Sequence, residues 1–258
     1  MNNTNHHRND RTPDIVCVVD LEVSPDPTTA LLLNSRKPAR GSSWAVCRID
    51  VACVLVTSRS ETGWKVDRFT TFAVDQDGAG HVSHVGDERG LLVQLGQILS
   101  ATRREAAEED RVLRLATYNG DAFDLPILRR RAMANGIFDQ VDLVDPVDWM
   151  PYDVARHLAR SPRTGMPKLK EVAAAFGIPA THQVARGPVL QYDRRAAKCE
   201  VDVCATLLLH AYDLAAAARD GAIVKDVWRA LADEIGYGRM VPGHLAQFAR
   251  HRRIGGLG

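Results

Sequence analysis

From Asp14 to Leu21 the chain reads DIVCVVDL, an unbroken β-rich apolar run. Such a run suits a central strand buried on both faces better than a half-exposed strand, whose apolar positions would alternate. Trp44 to Thr57 reads as a second strand. Trp64 to Val74 reads as a third, and the short Glu61-Thr62-Gly63 turn between them predicts an antiparallel pair. The stretch from Val23 to Ser43 contains three prolines and has no clear period, which predicts a long loop.

Asp87 to Asp110 has helical spacing, with Leu91, Leu92, Leu95, Ile98 and Leu99 on one stripe. Val112 to Tyr118 predicts a fourth strand. Asp124 to Ala134 predicts a helix stopped by Gly136, and Val141 to Val144 a short fifth strand. Helices are expected over Tyr152 to Ala159, Lys168 to Phe176 and Asp193 to Ala218, with two shorter ones reaching Arg250. This order spells an α/β protein with a five-stranded mixed sheet flanked by helices and a helical C-terminal part. Residues 14–250 are expected to form a single domain, between a disordered tail over 1–13 and a basic, glycine-containing tail over 251–258.

Composition narrows the function classes. The 258 residues are 45% hydrophobic and 25% charged, as in soluble globular proteins. Lys plus Arg is 33 against 32 for Asp plus Glu, so bulk attraction to a polyanion is not the organising principle, and any nucleic acid must be gripped locally. The polar N-terminus lacks a signal-peptide pattern, and no apolar run suggests a membrane span, so a cytoplasmic protein without a membrane partner is expected. Cys17, Cys47, Cys53, Cys199 and Cys204 are odd in number and lie in apolar patterns, which predicts reduced thiols.

Three features carry candidate chemistry. Asp20 and Glu22 are two apart on a strand and leave the same face where the apolar run ends, the usual ligand edge of an open α/β sheet. Paired carboxylates of this kind suit a hard divalent ion, although a D-x-E pair can also simply end a strand in water. The second feature is TYNGDAFDLPILRRRA, in which Asp124 stands where a helix N-cap is expected and Pro126 in its first turn. Arg129, Arg130 and Arg131 point in different directions on that helix and read as a solvated face. The third is Asp202, an acid inside an apolar helix, sharing a face with Lys198 and Thr206; a plain i, i+4 ion pair with Lys198 is the alternative to a metal role. His81 and His84, and the Arg250-His251-Arg252-Arg253 run, read as surface features.

Taken together these features resemble a known family. Asp20-x-Glu22, then Asn119 with Phe123-Asp124, then Asp202 followed by Thr206 look like the three motifs of the DEDD 3′-5′ exonuclease superfamily. Tyr118-Asn119-Gly120, Phe123-Asp124-Leu125-Pro126 and Cys199-Glu200-Val201-Asp202 are most similar to the group related to the proofreading domain of family B DNA polymerases. The resemblance spans roughly residues 14 to 215. It implies a ribonuclease H-like fold, and two divalent ions, Mg2+ or Mn2+, held by Asp20, Glu22, Asp124 and Asp202. It also implies hydrolysis at the 3′ end of single-stranded DNA or RNA, with Leu21, Asn119, Phe123 and Thr206 around the substrate and the Phe123 ring stacking on a base. One position departs from the family. Lys198 stands where the family usually has Tyr, and Ala197 where it can have His, so Lys198 enters the candidate catalytic set in place of the usual water-orienting group. A nucleic-acid-binding module that keeps the fold without efficient hydrolysis is the alternative.

Overall fold

The computed structural model describes residues 13–32, 46–74, 82–144, 149–159, 166–179, 194–236 and 242–251. Residues 1–12 and 252–258, His81 and most of the expected 23–43 loop lie outside them. Among the described residues six strands form one sheet: β1 (Ile15–Pro25), β2 (Cys47–Ser60), β3 (Gly63–Ala73), β4 (Ser83–His84), β5 (Leu113–Thr117) and β6 (Met150–Asp153). Their order is β4-β3-β2-β1-β5-β6. β1 lies antiparallel to β2 and parallel to β5, which makes the sheet mixed.

The unbroken apolar run explains the central place of β1, because both of its faces are covered. Val16 and Val18 join one core with helix α7 (Arg194–Ala218), α8 (Ala222–Gly236) and α9 (Gly243–His251). Ile15, Cys17, Val19 and Leu21 join a second core with α2 (Glu88–Glu108) and α3 (Asp124–Ala134). At about 25 cal/mol per Å² of apolar surface removed from water, two such cores are the main driving force for folding. On the first face, the buried Glu200 of α7 meets His244 of α9 at 2.6 Å and accepts a hydrogen bond from Thr71 of β3 at 2.7 Å.

The sheet has six strands where the sequence predicts five. Residues 141–144 form a helical turn, α4 (Val141–Val144), instead of a strand. Short apolar runs do not distinguish the two by period, and here buried Asp142 decides. Its carboxylate accepts from Trp149 Nε1 at 2.8 Å and Ser100 Oγ at 2.6 Å, contacts that pin the turn against α2. The place beside β5 goes to β6, where a helix start is expected; the helix, α5 (Val154–Ala159), begins only after it. The sixth strand, β4, has two residues, too few for any pattern. The expected loop also begins later. β1 continues to Pro25 and is followed by α1 (Pro27–Leu32), capped by Asp26, which accepts from Thr28 N at 3.0 Å. The β2–β3 hairpin is as read, and its turn needs Gly63, whose φ is +113°.

Two further readings change. α7 is long and apolar enough to cross a membrane by length and composition, but 67% of its apolar window is buried inside the fold. Arg131 is not on a solvated face. Its guanidinium donates to Glu88 Oε1 at 2.8 Å and Asp26 Oδ2 at 2.9 Å, and also pairs with Glu88 Oε2, while Ile49 N donates to Glu88 Oε1 at 2.7 Å. Arg131 thus ties α3 to α2 and to the end of β1. Its neighbour Arg129 is exposed. Arg131→Ala should therefore lower stability in denaturant titration by about 3 kcal/mol, because it strands the buried Glu88 carboxylate. Arg129→Ala should change it by no more than about 0.5 kcal/mol, and equal effects of the two substitutions would contradict the assignment.

Candidate functional site

β1 presents Asp20 and Glu22 on the same face as Val16 and Val18, toward α7. A register shift in the β1–β2 pair follows Glu22: Glu22 faces Val51 and Val23 faces Ile49, so Asp50 is the extra residue on β2. Bulges of this kind re-aim side chains beside sites. Asp50 is held by Arg48 at 3.1 Å and by Arg195, at the start of α7, at 2.7 Å. One turn on, Cys199 Sγ donates to the Asp20 backbone oxygen at 3.1 Å and fastens α7 to β1.

This packing brings distant acids together. One carboxylate oxygen each from Asp20, Glu22 and Asp202 lie within 4.8 Å of one another. Lys198, one helical turn before Asp202, donates to Asp202 Oδ2 at 2.9 Å and to Glu22 Oε1. The i, i+4 ion pair read from the sequence is present, with Glu22 as an additional partner. The Lys198 side chain is 50% exposed, against 16% for Glu22 and 17% for Asp202.

Asp124 arrives from the other side of β1. After β5 the chain turns at Asn119, whose φ of +58° is left-handed. A Cβ on Gly120 would lie 2.3 Å from the Thr117 side chain, so only glycine fits there. Asn119 N donates to the buried Asp153 Oδ1 at 2.9 Å, and the same oxygen accepts from Ala155 N at the start of α5. α3 then begins, and its N-cap is Phe123, without a side-chain capping bond. The expected capping role of Asp124 is thus corrected: it is the first helical residue, only 4% exposed.

A cavity of about 690 Å³ joins these parts and is lined by Asp20, Leu21, Asn119, Phe123, Asp124, Lys198 and Asp202. Glu22 is not among the lining residues, but its carboxylate belongs to the acid cluster with Asp20 and Asp202, which are. Thr206 is elsewhere: it is 3% exposed in the core, one turn beyond Asp202, and is not among the lining residues. Met166, Pro167, Lys168, Leu169 and Lys170, at the start of α6 (Leu169–Ala175), also form a wall of the cavity. Tyr118 Oη, donating to Pro167 O at 2.8 Å, holds that wall in place. Sequence reasoning missed Lys168 and Lys170, because a helix-opening lysine looks the same wherever the helix lies. Asp153 was missed too, because the sequence pattern places it inside a helix expected from Tyr152, whereas it ends β6.

Burial, reinforced by neighbouring acids, raises the pKa values of these carboxyls. Burial, reinforced by Asp202 and Asp124, holds the Asp20 carboxyl well above the usual carboxylate range. Burial raises Glu22 too, with Lys198 opposing it. Asp124 is pushed up to about 7 by burial, again against the pull of Lys198. Burial disfavours the Lys198 ammonium, but Asp202, Asp20 and Glu22 outweigh it and keep the lysine protonated. Among the described residues, Asp20 Oδ2 is buried without a hydrogen-bond partner. An orphaned carboxylate oxygen among other acids is a donor set that fits a hard divalent cation.

No family model matches the chain, and no curated protein matches its sequence. Among solved structures, the family B DNA polymerase from the hyperthermophilic archaeon Pyrobaculum calidifontis aligns with 87% of this chain and 30% of its own, at 16% identity and a TM-score of 0.46. The zinc-bound form of the E. coli ExoI–ssDNA complex aligns with 85% of this chain and 43% of its own, at 13% identity and a TM-score of 0.42. The chain thus spans less than half of either protein.

The raised Asp124 pKa has a definite sign in stability. An unfolded Asp titrates near 3.9, so between about pH 7 and 4 the folded state holds a proton that the unfolded state lacks, and acidification favours folding. Metal-free Asp124→Asn should melt above the native chain at pH 8, and this advantage should shrink toward pH 5; a constant difference would show an ordinary carboxylate. Gly120→Ala, which forces the Asn119 turn away from Thr117, should cost about 1–3 kcal/mol in denaturant unfolding.

Proposed function

We propose that this chain is a divalent-metal-dependent nuclease that removes nucleotides from the 3′ end of single-stranded DNA or RNA. The observation that carries the reading is the meeting of Asp20, Glu22 and Asp202 within 4.8 Å, with the orphaned Asp20 Oδ2 among them, on a cavity that Asp124 also lines. These four acids would hold the metal. Magnesium or manganese there would supply Lewis-acid stabilisation of charge building on a phosphodiester and would lower the pKa of a bound water.

The chain's own residues do the rest. Phe123, at the cavity wall, offers a ring for stacking on a terminal base, a contact that tolerates any sequence. Asn119 is fixed by its turn as a polar contact beside it. Lys168 and Lys170 line the same cavity as the acids and would supply local positive charge for backbone phosphates, which a net charge of +1 does not. The 3′ polarity rests on the motif resemblance. A cytoplasmic setting goes with this reading, in keeping with five free cysteines.

A second reading, a binding module without hydrolysis, is favoured by the salt bridges of Lys198 to Glu22 and Asp202 inside the acid cluster.

Digestion of 5′-labelled single-stranded DNA and RNA with Mg2+ or Mn2+ should give a ladder shortening from the 3′ end. Asp124→Asn and the double Asp20→Asn, Asp202→Asn variant should each be slower by more than about 100-fold, since even outer contacts to a metal cost about 10- to 100-fold. An oligonucleotide that binds and keeps its length over hours would establish the second reading. Mn2+ at about 100 times its Kd should stabilise the native chain by about 2.7 kcal/mol, and the double variant should lose that gain.

A further inference from the structure

Lys198 does more than depart from a motif. Its Nζ lies 2.9 Å from Asp202 Oδ2 and is hydrogen-bonded to Glu22 Oε1 as well. The two acids belong to the group whose ligand oxygens are no more than 4.8 Å apart. A divalent ion bound by both needs oxygens at about 2.1 Å, and the space between the two carboxylates is where the ammonium sits. Two cations cannot share that space. The lysine also has an advantage over a free ion, because its place one turn before Asp202 on α7 keeps it permanently at hand.

The other half of the cavity is different. Among the described residues, Asp20 Oδ2 is buried and has no hydrogen-bond partner, and Asp124 lines the same cavity while lying outside the group of three. Resting on the metal-centre reading above, we infer that Lys198 is a tethered cation standing in for one of two divalent ions. The resting chain then binds a single ion at Asp20 and Asp124. A second enters between Glu22 and Asp202 only when the ammonium leaves. The route out is open, since the Lys198 side chain is 50% exposed.

Calorimetric titration of the metal-stripped full chain with MnCl2, at one fixed pH, tests this without reference to activity. The native chain should bind one Mn2+. Lys198→Met should bind two, or bind a second at least about tenfold more tightly than the native chain does, and Lys198→Arg, which keeps a cation on the same helical turn, should again bind one. The native chain binding two ions of similar affinity would overturn the inference whatever the variants do, and if that chain also degrades DNA, the nuclease reading survives alone. One ion in the native chain and two in Lys198→Met, with no degradation by either, would uphold the tethered cation and defeat the nuclease reading. No Mn2+ bound by either protein would overturn both the inference and the metal centre.

Discussion

Mutual repulsion among Asp20, Glu22, Asp124 and Asp202 is the constraint around which this end of the molecule is arranged. Carboxylates this close, with Asp124 buried, would separate if their backbones could move. They are held because each stands on an element fixed by contacts unrelated to the acids. Asp20 and Glu22 ride on a strand whose two faces are covered by the two cores, and Asp202 on a helix with sixteen buried residues. Asp124 opens a helix whose Ile127 and Leu128 are in the core and whose Arg131 is clamped by Glu88 and Asp26. The apolar cores supply the free energy that the acid cluster consumes.

That division of labour explains what could be read from the sequence. The acids stand out because they interrupt patterns: Asp20 and Glu22 end an apolar strand, and Asp202 breaks an apolar helix. The strand and helix periods then predict which faces they share, and the structure places them accordingly. The short elements near them carry no such period. The four residues at 141–144 became a helical turn because Asp142 found Trp149 and Ser100, and Met150–Asp153 became a strand because β5 offered an open edge.

Long-range partners were hidden for a different reason. Arg131 meets Glu88 across 43 positions and Asp26 across 105, and Lys168 becomes a cavity wall only through the Tyr118 bond to Pro167 across 49. Local sequence holds no trace of such distances. Asp124 shows the converse: a good local reason for capping was present, and the chain gave the cap position to Phe123, leaving the carboxylate turned inward.

The buried contact of Glu200 with His244 and Thr71 adds a rotational consequence. Successive residues of a helix are 100° apart around its axis, so Glu200 and Asp202 project in very different directions from the same two-residue step of α7. Fixing Glu200 against α9 and β3 therefore indexes the whole helix, much as a key fixes a shaft, and sets the azimuth at which Asp202 and Lys198 meet β1. The angular setting of the acid cluster is thereby decided on the far side of the helix, by residues that never touch the cavity.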